Sequence, residues 1–151
     1  MPQISIGALL KSTNEFERRL EKFYISVRDG TEDSGVRLLT YYLARHCHHL
    51  KQVLDNLTLY EIDSICKEHV ECELDIGSVR HLQLMTADPK EAHGKELLEC
   101  AVTRDEALIG RYRSILEQPL SEGAASLFES LILIEEADVV MLKKMMATNY
   151  F

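Results

Sequence analysis

Apolar residues recur at steps of three and four along four segments of the chain, which is the spacing of one face of an α-helix. The four segments cover about residues 6–28, 34–57, 96–117 and 124–146. A long connection over residues 58–95 joins the second segment to the third. The pattern therefore predicts a single all-α domain, residues 1–151, made of a helical hairpin A–B over about 6–57 and a helical hairpin C–D over about 96–146.

Acidic residues lie on three of the four predicted core stripes, at positions where leucine is usual. They are Glu17 in helix A, Asp105 in helix C, and Glu135 and Asp138 in helix D, while Cys47 lies on the stripe of helix B. A buried carboxylate is costly unless it is paired, hydrogen-bonded, protonated or bound to a metal. These five residues are therefore a candidate metal site, in which the oxygen ligands favour cations such as Mg²⁺, Ca²⁺ or Mn²⁺.

The same acidic residues also fit a polar core that holds no metal. In that interpretation, other groups in the core satisfy the carboxylates. The groups available are the hydroxyls of Tyr24 and Tyr112, the guanidinium groups of Arg45 and Arg111, and buried water.

The two hairpins resemble each other in sequence. Moving the chain along by 88 residues places Glu17 on Asp105 and Tyr24 on Tyr112 without a gap. Two similar hairpins joined by a long crossover predict a four-helix bundle.

Three histidines and a cysteine occur together in LARHCHHL, residues 43–50. If helix B is continuous, Cys47 lies on the core stripe and His46 borders it. We therefore expect His48 and His49 to be in solvent or to cap the helix, and His46 to pack beside the core. The alternative is that His46 and His49, three residues apart, chelate a metal.

A second group of metal-ligating residues lies in the crossover, in CKEHVEC. If this stretch is helical, Cys66, His69 and Cys72 fall three apart along one side. They supply three ligands, whereas a closed zinc site needs four. We interpret them as small buried residues on a connecting helix, with a zinc site as the alternative.

The stretch ERRLEKFY, residues 17–24, and the pair DEALIGRY, residues 105–112, with EEAD, residues 135–138, resemble the ferritin-like superfamily, and most of all its small rubrerythrin-like members. In that family each half carries a Glu, then Phe-Tyr, and later Glu-x-x-His. The resemblance implies an up-down-down-up bundle with a di-iron centre. Such a centre takes a Glu from each of two helices and Glu-x-x-His from each of the other two.

This chain departs from the family's ligand motifs. The resemblance places the helix B glutamate on Cys47 and its histidine on Leu50. In helix D, Glu135 matches and Asp138 stands where the family has histidine, while Asp105 is shorter than the glutamate of helix C. The resemblance therefore implies a di-iron site that is altered or lost.

Composition limits where the protein acts. The chain has 151 residues, of which 46% are hydrophobic and 28% charged, with a formal net charge of −8. This charge disfavours nucleic acid and anionic membrane surfaces as partners, because phosphates would be repelled. Four cysteines without a disulfide-framework spacing, and an N-terminus that does not read as a signal peptide, favour a cytoplasmic setting.

Two functions follow from these observations. The missing histidines favour a non-catalytic interaction or regulatory module with no cofactor. The surviving acids favour a metal-binding protein with a carboxylate-rich centre, which binds iron or another divalent cation and acts in iron handling or in oxygen or peroxide chemistry. An enzymatic activity would then be that of a rubrerythrin- or ferritin-type oxidoreductase. We expect the protein to form a homo-oligomer, namely a dimer. For the interaction or regulatory module we also expect a protein partner.

Overall fold

The structure is a computed structural model that describes residues 2–75 and 77–148. This part of the chain is mostly helical, as the hydrophobic pattern predicts, and it also holds two short strands that the pattern does not predict. The elements in chain order are β1 Gln3–Ser5, α1 Ile6–Gly30, α2 Ser34–His46, α3 His49–Leu54, α4 Leu59–Cys66, β2 His69–Glu71, α5 Val79–Thr86, a 3₁₀ helix Pro89–Glu91, α6 Gly94–Leu116 and α7 Glu122–Ala147.

Side-chain caps fix where three of the four long helices begin. Ser5, Asp33 and Ser121 each accept a hydrogen bond from a backbone N–H in the first turn of α1, α2 and α7. Such a cap satisfies an N–H that has no partner within the helix. The observed starts lie within a few residues of the predicted ones.

The long helices pack in pairs, α1 on α2 and α6 on α7, and the pairs meet where α2 contacts α6 and α3 contacts α7. Their core contains two apolar clusters, one built around Tyr112 and Phe128 and the other around Phe23 and Leu39. All four predicted acidic core residues are buried: Asp105, Glu135 and Asp138 lie where α6 and α7 pass from one cluster to the other, and Glu17 lies within the second cluster. A polar layer therefore interrupts the apolar core.

The crossover is less helical than the sequence predicts. In CKEHVEC, α4 ends at Cys66 and the chain then extends into β2, which pairs antiparallel with β1 through Ile4 and Val70. Pairing with the N-terminal strand satisfies the backbone there and prevents α4 from continuing. Among the described residues, no helix is long and apolar enough to cross a membrane.

Candidate metal centre

Helix B is not continuous. The helix α2 ends at His46 and α3 begins at His49, so the prediction of one helix through this segment is wrong. The N–H of His48 donates to the carbonyl three residues earlier, at 3.1 Å, as in a 3₁₀ turn. The carbonyl of Cys47 accepts a hydrogen bond from the Arg18 guanidinium on α1. A side chain of the neighbouring helix thus donates to a backbone carbonyl that, in a continuous α-helix, would accept a hydrogen bond from the N–H four residues later.

The tightened turn brings two histidines into register. Residues three apart are offset by about 60° in an α-helix, but they eclipse each other in a 3₁₀ turn. The rings of His46 and His49 are stacked, with centroids 4.8 Å apart and planes 10° from parallel. His49 is 2% exposed. The expectation that it lies in solvent or caps the helix is therefore wrong, because that expectation assumed an unbroken α-helix.

The other two expectations for this segment fit the structure. His46 packs beside the core and keeps 17% of its side chain exposed. His48 is the surface residue, with 42% of its side chain exposed, and contacts Glu21 and Arg18.

The carboxylate of Glu135 on α7 contacts the Nε2 edge of both stacked imidazoles. Its Oε1 is 2.8 Å from Nε2 of His49, and its Oε2 is 3.2 Å from Nε2 of His46. The same His46 nitrogen is 3.3 Å from Oδ2 of Asp138 and 3.9 Å from Oδ1 of Asp105. Three of the five predicted metal-site residues therefore converge on a histidine that the prediction left out of the site.

The tautomer of His49 is fixed by a backbone contact. Its Nδ1 is 3.0 Å from the carbonyl oxygen of His46, which can only accept, so Nδ1 carries the proton and donates. In a neutral imidazole, Nε2 then presents a lone pair to Oε1 of Glu135. Neither of these buried atoms has a hydrogen bond of good geometry. Two acceptors at 2.8 Å are stable only with a proton or a metal cation between them.

The aspartates are only partly satisfied. The Tyr42 hydroxyl donates to Oδ1 of Asp138 at 2.6 Å. Oδ2 of Asp138 and Oδ2 of Asp105 are buried without a hydrogen-bond partner, and so is the hydroxyl of Tyr112. Tyr112 is thus not the partner that the metal-free interpretation expects. Unsatisfied buried oxygens favour a bound ion or an ordered water at this position.

Glu17 and Cys47 lie on the other side of the centre. Oε2 of Glu17 is 3.5 Å from Nδ1 of His49, and Oε1 is 3.7 Å from Nη2 of Arg104. Cys47 is buried nearby, and both residues border an interior cavity of about 20 Å³. The part of the chain described contains two sets of possible metal ligands, and within each set all the ligand atoms lie within 4.8 Å of one another. One set is His46, His49 and Glu135, and the other is His46, Asp105, Glu135 and Asp138. Glu17 and Cys47 belong to neither set.

Charge and burial oppose each other in this centre. Burial lowers the pKa of His49, but Glu135 and Glu17 outweigh it and raise that pKa to about 9. Burial likewise acts to lower the pKa of His46, and Glu135 and Asp138 reverse the effect. Burial acts to raise the pKa of Glu135, yet the two imidazoles hold it below its usual range. Glu135 is thus a carboxylate beside two groups that bind a cation or a proton.

A surface cavity of about 620 Å³ opens onto the centre. His46 and His49 form part of its wall, and most of the remaining wall is apolar. The other residues that line it are Leu38, Leu39, Tyr41, Tyr42, Arg45, Gln52, Ile134 and Met145. The cavity gives a small molecule a route to the histidine face of the centre.

The second predicted ligand group is not assembled. Cys66 ends α4, His69 is exposed on β2, and Cys72 is buried beyond that strand. The three residues do not form a set of close ligand atoms among the residues described. The change from helix to strand separates them, because side chains alternate between faces along a strand.

Four residues of the candidate centre were not among the five predicted metal-site residues: His46 and His49, which the sequence offered only as an alternative pair of ligands, and Tyr42 and Arg104. The signal for the first two is their spacing, His-x-x-His, which equals that of Glu135 and Asp138. Comparison of the chain with protein-family models, with curated proteins and with solved structures gives no match. The case for a function therefore rests on this geometry.

Proposed function

We propose that the protein binds a divalent transition metal between α2–α3, α6 and α7. The observation that carries the proposal is the contact between Nε2 of His49 and Oε1 of Glu135, two buried ligand atoms that lie 2.8 Å apart without a hydrogen bond of good geometry. A metal ion coordinated by both atoms removes the repulsion that a neutral His49 would experience.

The donor atoms favour iron or manganese over calcium. His46 and His49 add two imidazole nitrogens to the carboxylates of Asp105, Glu135 and Asp138. Imidazole suits iron and zinc, carboxylate suits manganese and magnesium, and mixed sets are typical of redox-active iron sites. Including the histidines thus changes the expected metal from a hard cation to a transition metal.

The donor set also supports the ferritin-like hypothesis. A di-iron centre of that type uses four carboxylates and two imidazoles. This chain has the same numbers of each ligand kind. His46 and His49 lie one residue before Cys47 and Leu50, on which the resemblance places Glu-x-x-His in helix B, and Glu-x-x-Asp replaces that motif on α7. The residues are Glu17, His46, His49, Asp105, Glu135 and Asp138. We propose a ferritin-like bundle whose centre is altered rather than lost, with a role in iron handling or in oxygen or peroxide chemistry.

One observation favours the second candidate function, a metal-free interaction or regulatory module. Arg104 and the two histidines place positive charge among the four carboxylates, and the raised pKa of His49 lets it carry a proton at neutral pH. A core neutralised in this way can be stable without metal. Metal content separates the two functions.

The test compares neighbouring histidines. Untagged protein is loaded anaerobically with Fe²⁺, Mn²⁺ or Zn²⁺, dialysed, and measured by elemental mass spectrometry. The variants are His49→Gln, which removes a buried donor, and His48→Gln, which changes the adjacent surface histidine. We expect the wild type and His48→Gln to retain metal, and His49→Gln to bind it about tenfold or more weakly. Circular dichroism melting curves confirm that each variant is folded.

Either of two outcomes overturns the proposal. An empty wild-type protein that still melts cooperatively supports the interaction module instead. Equal metal retention by both variants shows that any metal binds elsewhere.

A further inference from the structure

The centre is asymmetric in charge. On the side of His46, three carboxylates surround one imidazole nitrogen. On the side of Glu17, a permanent cation is already in place, since Nη2 of Arg104 lies 3.7 Å from Oε1 of Glu17. A guanidinium keeps its charge at every pH the protein meets. The two halves of the centre therefore differ in their attraction for a metal ion.

Arg104 cannot easily move aside. Its side chain is 9% exposed, and its Nη2 donates to Oδ2 of Asp75 at 2.7 Å. The guanidinium also lies over the ring of Phe16, 4.2 Å from the ring centroid. A buried ion pair and a cation–π contact hold the group from two directions. A divalent cation at Glu17 would face this fixed charge at short range in a poorly polarisable interior.

The free space beside Arg104 is small, and neither His49 nor Glu135 lines it. The interior cavity between Glu17 and the aspartates has a volume of about 20 Å³. A volume of this size accommodates about one particle as large as a water molecule. Arg104 forms part of its wall, together with Glu17, His46, Cys47, Asp105 and Asp138.

The ligand sets overlap as well. The two sets of close ligand atoms share His46 and Glu135. The Nε2 of His46 is the ring atom that faces all three carboxylates, and a ring nitrogen has one lone pair. This nitrogen can bind one ion, so it cannot serve both sets at once.

We infer that the centre binds a single divalent cation, with Arg104 acting as a fixed positive charge in the half where a second ion would otherwise bind. This inference rests on the proposed function. His46, His49 and Glu135 provide two imidazoles and a carboxylate, the donor set typical of mononuclear ferrous sites with open coordination positions. The ion is therefore ferrous iron, and Arg104 is the residue that sets the number of ions bound.

The experiment counts ions in the full chain. Anaerobic equilibrium dialysis against Fe²⁺, followed by elemental mass spectrometry, gives the number of ions per chain. The test variant combines Arg104→Met with Asp75→Asn, because removing the arginine alone would leave a buried aspartate without its partner. Arg113→Met, on the same helix but paired with Glu136 at the surface, is the control.

We expect one ion per chain in the wild type and in Arg113→Met, and two in the double variant. Nitric oxide added to ferrous wild-type protein should give the half-integer-spin electron paramagnetic resonance signal of an isolated ferrous nitrosyl in nearly every chain. Two ions per wild-type chain would overturn this inference alone. One ion in the folded double variant would overturn the role of Arg104. No ion in the wild type would refute the proposed function, and this inference with it.

Discussion

Two buried histidines in this protein have opposite acid–base behaviour. His49 in the candidate metal centre and His81 on α5 are each 2% exposed. The pKa of His49 is raised to about 9, whereas that of His81 is lowered to about 4. Equal burial therefore accompanies opposite shifts.

The neighbours of His81 explain its lowered pKa. Burial is the largest cause, and the cations of Arg104 and Arg80 add to it. The ring meets Phe16 edge to face, and Nδ1 lies 2.8 Å from the Ser78 hydroxyl. These surroundings favour a neutral imidazole that packs beside Ser78, the residue that caps α5.

The comparison teaches that burial alone does not identify a functional histidine. Desolvation acts on both rings to lower the pKa, and the charge of the surrounding groups decides the final sign. Around His49 the carboxylates of Glu135 and Glu17 outweigh desolvation, and the same negative charge is what the proposed metal site requires. Around His81 the nearest charges are mostly positive, so no cation is attracted.

The largest expected effect comes from neutralising Glu135, which makes the surroundings of His49 resemble those of His81. In metal-free protein, Glu135→Gln should lower the free energy of unfolding by about 3–5 kcal/mol at pH 7, because it removes the partner of the buried, protonated His49. The pKa of His49 should fall at the same time. Urea unfolding measures the first effect, and a histidine NMR titration measures the second.

The matched control is Glu136→Gln, since Glu136 is the next residue on α7 and pairs with Arg113 at the surface. Loss of an exposed pair should change the free energy of unfolding by less than about 1 kcal/mol. Equal effects of the two substitutions would show that Glu135 has no special role in the core.

The next effect is a pH dependence of opposite sign at the two histidines. His81 is protonated in the unfolded chain below about pH 6.5, but in the folded chain only below about pH 4. Because the folded protein keeps His81 neutral, the free energy of unfolding decreases as the pH falls from about 6.5 to about 4, by about 3 kcal/mol over the whole range. His49 holds its proton better in the folded state, so its contribution is present below about pH 6.5 and is lost as the pH rises through about 9.

Urea unfolding of chelator-treated wild type, His81→Gln and His49→Gln over this pH range tests the signs. The free energy of unfolding of His81→Gln should decrease less than that of the wild type when the pH is lowered. That of His49→Gln should decrease less than that of the wild type when the pH is raised. If the free energy of unfolding of both variants varied with pH in the same way as that of the wild type, the assigned pKa directions would be contradicted.

The smallest effect concerns the turn that places His49 in the core. Arg18→Met removes the donor to the Cys47 carbonyl and should cost about 1 kcal/mol of unfolding free energy. It should also weaken metal binding, because the turn at Cys47 and His48 can then relax towards a regular helix. Arg19→Met, on the exposed side of the same helix, is the control. Unchanged metal affinity in Arg18→Met would show that the turn does not depend on this contact.

Much of the fold could be predicted from the sequence. The predicted stripe residues of helices A and C, from Leu10 to Val27 and from Leu98 to Ile115, are all buried. Helical periodicity is a local property, since each step of three or four residues returns to the same face. The strand pair was not predicted, because β1 and β2 have three residues each and depend on a partner distant in the chain.

The candidate site could be predicted only in part. Asp105, Glu135 and Asp138 were expected from unbroken helical periodicity, and α6 and α7 are unbroken. His46 and His49 were left out of the site because the 3₁₀ turn changes the angle per residue from about 100° to about 120°. At that turn the Cys47 carbonyl accepts from Arg18, a residue of another helix.

The sequence by itself determined that this chain forms long amphipathic helices with acidic residues on their buried faces. Spacing and residue type act over a few residues, so these features need no knowledge of the rest of the molecule. Only the tertiary structure decided which groups surround those acids: two histidines turned inward by a tightened turn, and Arg104 held between Asp75 and Phe16. Electrostatic contacts form between residues far apart in the chain, so the identity of the neighbours emerges only when the helices pack.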